Sequence, residues 1–249
     1  MEGGGFLRNS QIVVLGVCIA VATVASSMIL SHGFLKVMKF TREQITVTGS
    51  AQKDITSDFI VWRGDFTRRD ADLKAAYAGL KADYEKVKRY LESKGVKESE
   101  INFSSVSTAT LYKKNEKGND TNDIQGYTLG QAVEIRSSDV NRITEVSRQA
   151  TDLIAEGVEF SSGSPEYFYT KLDELKIEML AKASENAKAR ADNMVRAAGN
   201  RIGFMRSARM GVFQITPANS TEISDWGMND TSSLYKKVTA VVNVNFAIQ

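Results

Sequence analysis

The sequence predicts an α+β fold preceded by one transmembrane helix. Three observations support this prediction. Residues 12–30 are 19 consecutive uncharged residues, two amphipathic helical patterns end at Gly95 and Gly199, and alternating apolar residues recur between and after them. After the N-terminal helix the predicted element order is ββαββαβαββ, which is typical of amphipathic helices packed on a largely antiparallel sheet.

The uncharged segment is long enough to cross a bilayer. At about 1.5 Å per residue, a helix of this length spans roughly 28 Å. A signal peptide cleaved after Ala25-Ser26-Ser27 is the main alternative. The apolar run continues beyond that point, which favours a retained anchor over residues 12–35. The side chains expected to face lipid include Ile12, Leu15, Val21, Met28 and Leu30.

Charge divides the chain into a basic N-terminal region and a neutral body. Residues 1–11 form a short flank, residues 36–43 a linker, and residues 44–249 the body. The body holds 28 basic and 28 acidic side chains. A neutral surface is a poor nucleic-acid partner, so nucleic acid is excluded and membrane lipid is expected as a partner. Lys36, Lys39 and Arg42 follow the anchor, and by the positive-inside rule they favour a cytoplasmic body.

Few residue types that carry catalysis are present. The only cysteine, Cys18, lies inside the anchor, and the only histidine, His32, lies at its end. The body therefore contains no Ser-His-Asp set, no Cys-His pair and no histidine-containing metal site. We assign no catalytic residue, cofactor or metal. A carboxylate pair stays open, either Asp54 with Asp58 or Asp65 with Asp70.

The first half of the body shows two strand signals and a helix. Residues 45–48 and 59–66 alternate as strands do and are expected to pair as a hairpin. A helix follows and ends at Gly95. Strands are expected at residues 101–112 and 125–137, joined by a mobile polar hairpin loop at 113–123. The first helix is expected to bury Leu73, Tyr77, Leu80, Tyr84, Val87 and Leu91.

The second half contains the longest helix of the body. Asp139 is expected to cap a helix that ends at Gly157, before a short strand at residues 158–160. The long helix covers residues 172–198, and its many alanines imply close approach to a sheet. Strands are expected at 202–215 and 238–248. The inner face of the long helix is predicted to be Leu175, Met179, Ala183, Ala187, Ala191, Met194 and Ala198.

A polar segment of about 20 residues, 216–237, separates the last two strands, which is too long for a simple turn. It carries Trp226 and Met228 among polar residues. Large apolar side chains in such a segment are typical of interface anchors, so these two residues are the predicted contact with a second copy of the chain. A disordered excursion is the alternative.

Several short motifs together resemble the SIMPL-domain family. They are Ile45-x-Val47-x-Gly49-x-Ala51, Gly126-Tyr127 at the start of a strand, and the pattern of alanines, Asn186 and Arg190 that leads to Gly199. The resemblance implies an exported bacterial protein with an α+β body, no established activity, and a link to the cell envelope and stress. It also implies assembly into ring-like homo-oligomers. We therefore expect a single-pass inner-membrane protein with its body on the periplasmic side.

Three functions follow from these observations. The first is a non-enzymatic, membrane-anchored scaffold that assembles as a homo-oligomer. The second is an oligomeric conduit, for which Thr23, Ser26 and Ser27 would be a meagre polar lining. The third is a hydrolase that uses the carboxylates named above. The sequence favours the first.

Overall fold

The α+β class is confirmed in the computed structural model of the chain. The backbone is described for residues 4–249, and side chains for residues 13–35, 38 and 43–249. In this part of the chain the α-helices are α1 (Gly4–Arg42), α2 (Leu73–Ser93), α3 (Val140–Gln149) and α4 (Leu172–Ala197). The strands are β1 (Gln44–Thr56), β2 (Phe59–Asp70), β3 (Ile101–Phe103), β4 (Ser107–Lys114), β5 (Asp120–Ser137), β6 (Glu159–Ser162), β7 (Glu166–Phe168), β8 (Ile202–Met210), β9 (Gln214–Pro217), β10 (Met228–Asn229) and β11 (Tyr235–Ile248).

The chain folds as two compact units. The anchor unit consists of the N-terminal residues through Ser50, Ala181–Gly211 and Val241–Gln249. The second unit consists of Ala51–Leu180 and Val212–Ala240. The elements β1, α4 and β11 therefore each contribute residues to both units.

In the anchor unit, α4 covers one face of a sheet. β11 pairs antiparallel with β8, from Val242 opposite Met210 to Ile248 opposite Ile202. β1 is the other neighbour of β11. Period-two alternation places one set of β11 side chains on the buried face, because successive strand residues point to opposite sides. The buried side chains here include Val47, Ala183, Ala187, Ala191, Val195, Val242, Val244 and Phe246.

The second unit is built on β2, which pairs antiparallel with β5 on one side and with β6 and β7 on the other. β3 and β4 both pair with β5. The helices α2 and α3 contribute their apolar stripes to the core of this unit. Trp62 is 1% exposed, and its indole donates to Ser162 Oγ at 3.1 Å. The largest buried side chains are Trp62, Phe66, Ile60, Leu80, Leu91, Leu129, Ile135, Ile143 and Leu153.

The start of α3 and the ends of α2 and α4 follow their local chemistry as predicted, but α3 ends at Gln149 and not at Gly157, because the chain continues there as a 3₁₀ helix, Ala150–Ile154. The side chain of Asp139 accepts from the backbone N–H of Arg142 at 3.1 Å and so caps α3. Gly95 and Gly199 follow α2 and α4 with φ of 75° and 77°, a conformation that favours glycine. These two glycines therefore predicted the C-terminal ends of α2 and α4 correctly.

The expected hairpin of the first two strands is wrong. β1 lies in the sheet of β11, whereas β2 lies in the sheet of β5. Adjacency in sequence favours pairing, but the buried faces of β1 and β2 belong to different cores. The turn at Ser57-Asp58 is instead joined to other segments, since Ser57 N–H donates to Leu234 O at 2.9 Å and Asp58 N–H donates to Phe168 O at 3.0 Å.

Two predicted inner faces need correction. In α2, Leu73 is 42% exposed and Tyr77 55% exposed, so the first two residues of the predicted face are not buried. In α4, Met194 is 58% exposed, and Val195 is buried in its place. Ala198 is exposed and lies after the last helical residue.

The strand boundaries differ from the expected ones mainly in polar segments. β4 extends to Lys114 and β5 starts at Asp120, so the expected hairpin at 113–123 is present but its loop is shorter, at residues 115–119. The expected strand at 101–112 is two strands, β3 and β4, and the one at 202–215 is β8 and β9. The aromatic cluster Tyr167-Phe168 lies in β7, which the sequence did not predict.

Candidate functional site

The N-terminal helix presents the features of a membrane span. Val13–Leu35 is a 23-residue apolar stretch of α1 that is not buried against the rest of the protein. It could cross a membrane. The hydroxyl of Thr23 donates to Ala20 O at 2.9 Å, which satisfies this polar group within the helix. Leu15, Val21, Met28 and Leu30 are each more than 60% exposed, whereas the side chain of Ile12 lies outside the described residues.

The polar segment after β9 is ordered and presents a tryptophan. Trp226 is 94% exposed, and Ile223, three residues earlier, is 84% exposed. Met228 is half-buried because it lies in β10, opposite Gln214 of β9. The structure therefore separates the two predicted contact residues into one exposed and one held in the sheet. Sequence reasoning missed Ile223, although it is another bulky apolar residue in the same polar stretch.

Hydrogen bonds hold the Trp226 loop, defined as residues 218–234, in this shape. The side-chain amide of Gln214 donates to Ser224 O at 2.6 Å and accepts from the Ser224 N–H at 3.3 Å. The N–H of Asp230 donates to Ile215 O, and the N–H of Tyr167 donates to Thr231 O. Both ends of the loop are thus fixed to neighbouring strands, so the exposed indole stands on an ordered backbone.

A buried lysine fastens the same loop. Lys236 is 3% exposed, and its ammonium donates to Tyr167 O at 2.6 Å and to Asp230 O. Burial lowers the pKa of Lys236, and the nearby carboxylate of Asp230 opposes that shift. Burial also acts to raise the pKa of Asp230, but hydrogen bonds from Ser232 and Ser233 together with the nearby Lys236 outweigh it, so the pKa is lowered overall. Lys236 thereby links its own strand to the backbone at Tyr167 and at Asp230.

The carboxylates proposed as a catalytic pair have structural roles or lie in solvent. Both oxygens of Asp58 accept from Thr170, from its N–H at 2.7 Å and its hydroxyl at 2.8 Å. Asp70 accepts from the N–H of Asp72 at 3.0 Å. Asp54 and Asp65 are exposed. Among the described residues, no group of three or more His, Cys, Asp or Glu side chains could hold a metal ion.

One buried carboxylate was missed by the sequence reasoning. Asp83 of α2 is fully buried, with Arg68 Nη1 at 3.7 Å and Lys86 Nζ at 3.8 Å. Burial raises its pKa, and the two cations oppose the shift. The position could have been found, because residue 83 lies three after Leu80 and four before Val87, on the same helical stripe. It is held by ion pairs that are too long for hydrogen bonds.

These features define a class of protein with an α+β body that follows an apolar helix able to cross a membrane. The chain belongs to the SIMPL family, described as proteins of unknown function (DUF541), whose model matches residues 45–246. The resemblance found in the sequence is thereby confirmed. No curated protein matches the chain.

One solved structure shows a slight likeness. It is the crystal structure of an amidase of the hydantoinase/carbamoylase family from Burkholderia phymatum. The match covers 52% of this chain and 34% of the amidase, at 11% sequence identity and a TM-score of 0.28. The chain thus spans about a third of that structure's length, and a likeness of this size indicates nothing about activity.

Proposed function

We propose that this protein is a non-enzymatic scaffold of the bacterial cell envelope. In this proposal α1 anchors it in the inner membrane, the body lies on the periplasmic side, and the chain assembles with copies of itself into a ring that serves the stress response of the envelope. Its partners are membrane lipid and a second copy of the chain. The observation that carries the proposal is the exposed indole of Trp226 on an ordered loop.

The geometry of the Trp226 loop supports a protein contact. An exposed tryptophan loses little conformational entropy on binding when its backbone is already fixed, and tryptophan is strongly enriched among the residues that dominate interfaces. Ile223 adds a second exposed apolar side chain on the same short segment. A hydrophobic pair displayed on hydrogen-bonded backbone is costly in solvent and becomes favourable once covered.

Anchoring in a membrane favours a second copy of the chain as the partner of the Trp226 loop. Copies anchored in one bilayer share a plane, so their local concentration is high and a weak contact is well populated. A ring requires a heterologous contact, in which the Trp226 loop of one copy meets a different surface of the next.

The test is the mass of the complex purified in mild detergent, measured by light scattering. Trp226→Ser and Ile223→Ser should each shift the complex toward monomer, since loss of an interface anchor costs about 2 kcal/mol or more. Tyr77→Ser is the matched control, because Tyr77 is also an exposed aromatic residue but lies on α2. A monomeric wild type, or an unchanged assembly of both loop variants, would refute the proposed contact.

Anchoring and orientation have their own tests. Intact mass of the membrane-bound protein should retain residues 12–30, whereas a mature start near Met28 would show that the segment is cleaved. External protease added to spheroplasts should digest the body. Survival of the body under those conditions would place it in the cytoplasm, as the basic residues after the anchor favour.

A further inference from the structure

The two units carry opposite charge, although the body as a whole is neutral. The anchor unit contains 11 basic and 4 acidic side chains, a net of +7. The second unit contains 21 basic and 26 acidic side chains, a net of −5. The excess of basic residues is therefore not confined to the flanks of the anchor. It continues into the folded unit to which the anchor is attached.

Within the anchor unit, the basic charge is concentrated around β8. Residues 193–211 of this unit contain four arginines and no Asp or Glu. Arg201 lies just before β8 and is exposed, and so is Arg209 within the strand. The guanidinium of Arg206 lies 5.9 Å from the ring centre of Phe204. No residue from Ile202 to Met210 is fully buried, so the whole strand is accessible.

Exposed apolar side chains alternate with these arginines. Phe204 is 53% exposed, Met205 57% and Met210 59%. Among the described strands β8 pairs only with β11, so its outer edge is free. Soluble edge strands usually avoid such apolar exposure. Basic residues interleaved with Phe and Met are instead typical of surfaces that lie in the headgroup region of a membrane.

The position of β8 relative to the anchor fits this role. The N–H of Ile248 donates to Glu43 O, and the N–H of Arg201 donates to Gln249 O at 2.7 Å. The start of β8 is therefore two strands from Glu43, or roughly 10 Å at the usual strand spacing. Glu43 itself follows the apolar segment by eight residues, about 12 Å if measured along a helix. The chain therefore keeps the start of β8 near the bilayer that α1 could span.

We propose that β8 and Arg201 form a contact surface for anionic lipid headgroups of the membrane in which α1 is anchored. The proposal rests on the anchoring part of the proposed function and does not depend on self-association. Arg201 and Arg209 bind headgroup phosphates, and Phe204, which lies beside Arg206, enters the interface between headgroups and acyl chains. A lysine or arginine near an anionic surface contributes a factor of about five to the docking equilibrium.

The experiment uses the full chain with Cys18→Ser and Ala208→Cys, the latter carrying a fluorophore on an exposed β8 position. The protein is placed as one copy per nanodisc, in phosphatidylcholine alone or mixed with phosphatidylglycerol. A spin label on a lipid headgroup quenches the fluorophore only at short range. Quenching should be strong with phosphatidylglycerol, weak with phosphatidylcholine alone, and reduced at about 1 M salt, where the Debye length is about 3 Å.

Two double variants separate a specific surface from general attraction. Arg201→Gln with Arg209→Gln should lower the docking equilibrium by about 25-fold. Lys182→Gln with Lys188→Gln removes the same charge from α4 of the same unit and should leave quenching unchanged. An equal loss of quenching in both double variants, or equal quenching in both lipid compositions, would overturn the proposal.

The remaining outcomes also discriminate. Quenching that requires two copies per disc would overturn the lipid contact in favour of a second chain pairing with the free edge of β8. A chain that does not co-purify with nanodiscs would contradict the anchoring itself. Co-purification without quenching would overturn only the contact of β8 with lipid.

Discussion

Gly49 of β1 lies so close to Ala187 of α4 that neither can carry a larger side chain. A Cβ on Gly49 would be 2.6 Å from the Cβ of Ala187 and 2.2 Å from the carbonyl oxygen of Ala183. Two further contacts join the same elements, since Ser50 N–H donates to the Asn186 side chain at 3.2 Å and Arg190 donates to Thr48 O at 3.0 Å. The small residues therefore permit direct backbone contact between helix and sheet.

Substitution of Gly49 by alanine should destabilise the protein by about 1–3 kcal/mol, because the added methyl group meets backbone atoms that cannot move independently. The measurement is urea unfolding of the detergent-solubilised chain followed by circular dichroism. Gly130→Ala in β5 is the control, since its nearest neighbour is the terminal oxygen of Ser107 at 3.2 Å, which can rotate away. Equal stability of wild type and Gly49→Ala would mean that α4 is not held at this distance.

Ala191→Leu should also lower the free energy of unfolding by about 1–3 kcal/mol, and Ala187→Leu by at least as much, because both positions are fully buried. The control is Ala189→Leu, which adds the same side chain to an exposed position of the same helix. Thermal melting should separate the buried positions from the control. If all three variants melted at the same temperature as the wild type, the alanine face would have room that the structure does not show.

The sequence predicted this face because period and composition agree there. Ala183, Ala187 and Ala191 recur every four residues, and small residues on an apolar stripe imply close packing. The prediction is wrong at Met194. Continued steps of three and four residues placed Met194 on the inner face, but it is exposed and Val195 is buried. Periodicity specifies a face, but the end of the contact depends on where the neighbouring sheet ends.

Other features depended on contacts distant in sequence. The partner of β1 is β11, almost 200 residues later, and local alternation holds no information about that choice. The order of the Trp226 loop likewise comes from Gln214, Tyr167 and Lys236, each outside the loop. A polar composition predicted flexibility, but specific hydrogen bonds override composition when both partners are fixed.

On acidification, the free energy of unfolding of the wild type should rise relative to that of Asp83→Asn. Burial raises the pKa of Asp83 above the ordinary 3.8, so the ionised side chain costs stability at neutral pH. That cost disappears as pH falls through the raised pKa, because the folded state then binds a proton that the unfolded state binds only nearer 3.8. The wild type should therefore gain stability relative to the variant between about pH 7 and about pH 4.5.

Urea unfolding at these two pH values measures the difference between wild type and Asp83→Asn. Asp83→Leu removes the same proton-binding group with an apolar side chain of similar size, and it should give the same change with pH. A wild type that loses stability relative to both variants on acidification would show that Arg68 and Lys86 outweigh the effect of burial on Asp83.

The ammonium of Lys236 should decide whether the Trp226 loop is ordered. Lys236→Met keeps the length of the side chain but leaves the carbonyls of Tyr167 and Asp230 without their buried donor, at a cost of about 1–3 kcal/mol. Hydrogen exchange in residues 218–234 should become faster, with no comparable change in α3. Lys237→Met is the matched control, because Lys237 is the next residue on the same strand and is not fully buried.

Since the exposed indole depends on a fixed loop to bind with little entropy loss, Lys236→Met should also reduce the mass of the complex without altering Trp226 itself. Unchanged exchange in Lys236→Met would show that Gln214 and β10 suffice to order the loop.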